Sequence, residues 1–202
     1  MLIESRFVCA ISKQTSETVC LTSYRSPRGS NDLLNSVKIW EACRATSAAS
    51  SFFDPIAVGR YKEEFTDGGT GANNPVWEVW NQAQMIWGPG PIDSKVKCLV
   101  SIGTGVLSQK PFQDDVFGIG ETLVAIATET KQTAERFRQH KVHLDDTGRY
   151  YRFNVAHGLE KIGLEESKKR KEIAAATRQY VASQEALKLM RACADNLAGR
   201  VG

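Results

Sequence analysis

Nowhere in these 202 residues do apolar side chains run on uninterrupted for the roughly eighteen positions that a membrane-spanning helix requires. The N-terminal Met1-Leu2-Ile3-Glu4-Ser5-Arg6 brings in an acid at once and lacks the apolar core of a secretory signal. Neither secretion nor a membrane span is therefore expected, and the expected location is the cytoplasm. The net charge of +3 is too small to imply a nucleic-acid partner, which calls for a basic patch with stacking aromatics. The one dense basic run, Lys168-Lys169-Arg170-Lys171, reads first as a solvated helix face and second as a contact for anionic lipid. Only three histidines occur, His140, His143 and His157, and they form no H-E-x-x-H pattern. Five cysteines, Cys9, Cys20, Cys43, Cys98 and Cys193, show neither a C-x-x-C pair nor zinc-ligand spacing. No metal and no cofactor are expected, and the thiols read as buried and reduced. There is no internal repeat, low-complexity stretch or convincing linker, so residues 1–202 read as one domain, large enough to bury a core.

Against these absences stands Phe65-Thr66-Asp67-Gly68-Gly69-Thr70-Gly71-Ala72-Asn73-Asn74-Pro75, a single carboxylate followed by three glycines and two asparagines. Glycine admits backbone shapes closed to other residues and lets other groups come close. Such a loop can present Asp67 to a cleft before a helix that begins near Pro75, with Asn73 or Asn74 as its cap. The plainer alternative is a tight turn whose aspartate merely accepts backbone hydrogen bonds.

Strands are expected at Arg6 to Ser12, Thr18 to Tyr24, Val96 to Ile102 and Tyr151 to Val155. The third is so continuously apolar that it reads as parallel and central. Ser36 offers an N-cap for a helix over Val37 to Ala45 whose apolar face would draw on Val37, Ile39, Trp40, Ala42 and Cys43. Trp77, Trp80 and Trp87, with Gln84 between, form either a core stripe or a lipid-facing wall. Gly120 to His140 carries Leu123, Ile126, Ala127, Thr130, Ala134 and Phe137 at the spacing of a long amphipathic helix, and one or two helices follow from Leu164 onward. Gly103-Thr104-Gly105 is no dinucleotide fingerprint, because Ser108 stands where the third glycine belongs.

Trp40-Glu41-Ala42-Cys43-Arg44-Ala45-Thr46-Ser47-Ala48-Ala49, followed by Phe65 to Pro75, closely resembles the patatin-like phospholipase family. Phe7 to Ala10, Val100 to Gly105, and Tyr151 to Val155 with Gly158-Leu159 extend the match over most of the chain. The resemblance implies an α/β fold, a three-layer sheet with flanking helices, and a serine–aspartate dyad that hydrolyses acyl esters of phospholipids or related lipids without a metal. Asp67 matches the catalytic aspartate, with Gly68, Gly69, Gly71, Asn73 and Asn74 supporting its loop. Residues 1 to 66 contain no Gly-x-Ser-x-Gly elbow and no glycine-rich oxyanion loop; Arg28-Gly29-Ser30-Asn31 lacks the spacing and a preceding strand.

The expectation is thus the C-terminal half of the family domain, a truncated 1–202, with the sheet core and Asp-Gly-Gly loop in 1–110 and a mainly helical part in 111–202. Alone it should be inactive. A core strand so near Met1 suggests truncation, biological or from a misplaced start codon. The competing expectation is a non-catalytic lipid- or protein-binding module of the same fold, using the tryptophan stripe and an exposed sheet edge for partners or peripheral membrane contact. A third is a separate polypeptide that supplies the elbow serine. The oligomeric state is left open.

Overall fold

The computed structural model describes residues 5–25, 31–50, 52–106, 119–160, 162–163 and 166–200, with the side chains of 119–128 and Ser167 outside that description. The chain is α/β and divides into two compact units, Met1–Gly90 and Pro91–Gly202.

In the N-terminal unit, β1 (Phe7–Ser12), β2 (Thr18–Thr22), β3 (Ile56–Val58) and β4 (Glu63–Asp67) form one sheet in the order β2-β1-β4-β3. All three pairings are antiparallel. Side chains alternate across a strand, so Val8 and Ala10 of β1 join Leu21, Val58 and Phe65 in one core. Helix α2 (Ile39–Thr46) closes that face with the buried Ala45. The buried Ser12 hydroxyl donates to Glu63 at 2.6 Å, which removes the cost of a polar group in the sheet.

Ser36 does not cap α2. It ends a separate short helix, α1 (Asp32–Ser36), by donating its hydroxyl to the Asp32 carbonyl at 2.6 Å. Lys38 is the residue at the α2 boundary, where its backbone N–H donates to Glu41 at 2.8 Å. The expected apolar face holds in part: Val37 and Ala42 pack against the core, whereas Cys43 is exposed. Ile39 and Trp40 are 87% and 60% exposed, because the small residues Ala42 and Ala45 let the helix lie close on the sheet.

Beyond β4, one turn of helix, α3 (Gly69–Ala72), leads into α4 (Val76–Trp87). Trp80 is buried, Trp77 half-buried and Trp87 exposed, so the tryptophans do not form one continuous core stripe. Gln84 instead donates to the Gly88 and Gly90 carbonyls at 2.7 and 2.8 Å, tying off the helix end.

The C-terminal unit pairs β5 (Leu99–Ile102) with β6 (Tyr150–Phe153) in parallel. The parallel direction agrees with the sequence; the central position does not. Among the described residues β5 has β6 as its partner strand, and Val100 and Ile102 are exposed, the latter by 78%. Helices α5 (Ile119–His140), α6 (Val142–Asp146), α7 (Arg170–Val181) and α8 (Gln184–Leu197) supply the rest. Leu123, Ile126 and Ala127, expected on the apolar side of α5, lie among side chains outside the description, as do Ser108 and Leu164. Phe137 and Leu144 are fully buried, and the Phe137 ring tilts against Tyr150 with centroids 5.3 Å apart. Lys168, Arg170 and Lys171 are exposed, as a solvated face requires. Among the described residues no helix is long and apolar enough to cross a membrane.

His143 and Lys141 both face Asp93, at 2.6 and 3.5 Å. Burial alone would raise the Asp93 carboxyl, but Lys141, a backbone hydrogen bond and His143 outweigh it and hold it below the usual range. A carboxylate depressed on folding stabilises above its unfolded value, about pH 3.9, and that contribution fades as pH falls through the folded value. Asp93→Asn should therefore flatten the acid limb of the stability profile below about pH 4. Urea unfolding at pH 7, 4 and 3 reads this directly.

Candidate catalytic carboxylate

Asp67 is the last residue of β4, opposite Ala10 of β1. Its backbone N–H donates to the Ala48 carbonyl at 3.0 Å, which ties the strand end to the chain just past α2. Thr46 at the end of α2 donates its hydroxyl to the Cys9 carbonyl at 2.6 Å, fastening the same helix end to β1. These contacts give a structural reason for the small residues of Ala45-Thr46-Ser47-Ala48: Ala45 and Ala48 are fully buried where the helix end meets the sheet.

The Asp67 side chain is half-buried, and its Oδ1 accepts from the Gly69 N–H at 2.6 Å. That bond is the one a simple aspartate turn would also make. The donor is a backbone N–H of the turn itself.

The glycines act through contact distance. Gly68 has ordinary right-handed helical dihedrals, φ −66° and ψ −16°. None of Gly68, Gly69 and Gly71 lies among the positive-φ glycines, which include Gly59, Gly105 and Gly158. A Cβ on Gly68 would sit 2.2 Å from the Cys9 carbonyl oxygen and 2.9 Å from Cys9 Cβ. On Gly69 it would meet Asp67 Oδ1 at 3.0 Å, and on Gly71 the side chains of Thr18 and Ile11 at 2.8 and 2.9 Å. Close approach, one of the two roles open to glycine here, is the one used. Asn73 follows α3 and is exposed; Asn74 is 3% exposed. Neither caps α4 through its side chain, since Pro75 holds that position.

In the C-terminal unit, Gly103-Thr104-Gly105 lines an apolar cavity of about 700 Å³ with Ile102, Val155 and Leu159. Gly105 requires φ +110° there and donates its N–H to Asn154 at 2.8 Å. Burial lowers the affinity of Arg152 for its proton, and the guanidinium donates to Ser101 at 2.8 Å beside this turn.

Fold and site together define an α/β protein that carries one carboxylate on a glycine turn at a strand end. Residues 12–80, which include that turn, match the family model of the patatin-like phospholipases. Phospholipase A I of Arabidopsis thaliana is 31% identical over 119 residues, covering 58% of this chain and 9% of the relative. The calcium-independent phospholipase A2-gamma of Homo sapiens is 31% identical over 144 residues, and that of Oryctolagus cuniculus 28% over 134; each match covers 66% of this chain and 16% of the relative. Over these stretches the chain is similar to the patatin-like phospholipases. It spans only a small part of these curated relatives.

Proposed function

We propose that this chain is the aspartate-bearing portion of a patatin-like lipid acyl hydrolase, with Asp67 as the general base of a serine–aspartate pair. The carrying observation is the half-buried carboxylate held at the end of β4 by the Gly69 N–H, inside the segment that matches the family. In this reading Asp67 accepts the proton of a serine hydroxyl as that oxygen attacks the carbonyl carbon of an acyl ester. Aspartate is a weak base at neutral pH, so fixed geometry and a water-poor setting have to assist it. Gly68, Gly69 and Gly71 shape the turn, and the buried Asn74 follows it into α4. The substrate class is a phospholipid or another acyl-ester lipid.

The sequence holds no Gly-x-Ser-x-Gly, so the isolated chain is proposed to be inactive. Backbone donors for the oxyanion, worth about 10²–10³ in rate each, would likewise come from a glycine-rich loop that the sequence does not contain. The purified chain should not turn over p-nitrophenyl butyrate above buffer. Robust turnover that Asp67→Asn abolishes would refute the proposed incompleteness. In a longer polypeptide that carries the elbow serine in frame, Asp67→Asn should lower turnover about 10²–10⁴-fold without moving the thermal melt.

A second reading, a lipid- or protein-binding module of the same fold, draws on the exposure of Ile39, Trp40 and Phe53 in the N-terminal unit. Flotation with phosphatidylcholine vesicles distinguishes its lipid-binding form: chain recovered in the floated fraction favours the module, and chain left behind removes that support.

A further inference from the structure

Only Cys9 and Cys193 of the five cysteines are buried; Cys20 and Cys98 are half-buried and Cys43 is exposed, so the expectation of uniformly buried thiols fails. Cys9 of β1 and Cys20 of β2 stand directly opposite one another. Ser23 N donates to Arg6 O at 2.8 Å and Ser12 N to Glu17 O at 3.0 Å, which fixes where the hydrogen-bonded positions of this ladder fall. They alternate, placing Val8 with Leu21 and Ala10 with Val19 at hydrogen-bonded positions and Cys9 with Cys20 at a non-hydrogen-bonded one. Facing Cα atoms are about 4.5 Å apart at such a position, inside the range of about 4.4–6.8 Å that a disulfide spans. The two side chains share a hydrogen bond. Cys9 lies against the functional turn, because its carbonyl is the group that a Cβ on Gly68 would strike.

We propose that Cys9 and Cys20 are a reversible oxidation site that closes as a disulfide directly beneath the turn holding Asp67. Cys20 is the attacking member. The hydrogen bond from Cys9 lowers the Cys20 thiol, against burial and the charge of Glu78, and Gln82 of α4 adds a second hydrogen bond. The same shared bond, then burial, pushes Cys9 up. Cys20 is also the more accessible of the two.

With hydrogen peroxide as oxidant, the Cys20 thiolate attacks one peroxide oxygen, the O–O bond breaks, and hydroxide leaves and takes up a proton to become water. This makes a sulfenic acid. The Cys9 sulfur, giving up its proton, then attacks the Cys20 sulfur; the S–O bond breaks and a second water departs. Two thiols have lost two electrons and two protons, and one peroxide has become two waters. A small dithiol reverses the step by exchange.

Reduced full-length chain treated with hydrogen peroxide, alkylated and digested with trypsin without reduction should yield peptide 7–13 joined to peptide 14–25, and dithiothreitol should separate them. Cys43→Ser should leave this link intact. Full alkylation of Cys9 and Cys20, a link from either to Cys43 or to a second chain, or a Cys98–Cys193 link in its place would overturn the proposal. This readout uses the unaltered protein and does not depend on a variant that folds. Dimedone should trap Cys20 in Cys9→Ser about tenfold faster than Cys9 in Cys20→Ser; equal rates would overturn the assignment of Cys20 as the attacking thiol.

Discussion

Alanine at position 68 is expected to destabilise the N-terminal unit by about 3 kcal/mol or more, at the upper end of the cost of overpacking. The added methyl would lie 2.2 Å from a carbonyl oxygen, and that oxygen belongs to the middle of β1, which is paired on both sides. A flexible side-chain tip could rotate away, but a strand carbonyl cannot without bending β1 and straining the bond it accepts from the Thr46 hydroxyl. Gly71→Ala is the matched comparison. There the nearest atoms are Thr18 Oγ1 and Ile11 Cδ1, both side-chain ends, so about 1 kcal/mol is expected. Urea unfolding of the two variants beside the parent gives the ranking; a Gly68→Ala midpoint equal to that of the parent would show that the turn does not press on β1 as described.

Phe137→Ala should be comparably severe, at about 3–5 kcal/mol, the usual cost of deleting a buried phenyl ring. The ring is fully buried between α5 and the neighbouring elements, against Tyr150 of β6. Leu144 is fully buried beside the start of α6, where the Lys141 N–H donates back to the Phe137 carbonyl at 2.9 Å. Loss of the ring leaves a cavity beside Tyr150. Intensity of the near-ultraviolet dichroism and the urea midpoint should both drop; an unchanged midpoint would contradict the packing.

Much of the N-terminal unit could be read from residues alone. Two apolar runs separated by a polar stretch gave β1 and β2, and Ser16, at φ +59°, makes the turn between them. Register could not be read in the same way. A shift of one residue moves every side chain to the opposite face, so the facing of Cys9 and Cys20 depends on the turn geometry at residues 13–17. Serine commonly caps helices, which is why Ser36 reads as a cap, whereas its hydroxyl has a nearer acceptor in its own short helix. The run from Val96 to Ile102 suggested a central strand, but apolar composition does not say how many neighbours a strand has. The glycines draw attention to Asp67, and of the two roles open to them the contacts select close approach. The contacts at Thr46 and Ala48 could not be read because they join segments whose proximity depends on the fold.

The turn at Asp67 is held by the Ala48 carbonyl and by the close seat of Gly68 on β1, neither of which involves the carboxylate. Architecture and reactivity are therefore separable at this position. A lineage could exchange the acid for an amide, whose oxygen can still accept from the Gly69 N–H, lose the proton transfer proposed above and keep the same scaffold, so an intact glycine turn certifies ancestry more strongly than it certifies turnover.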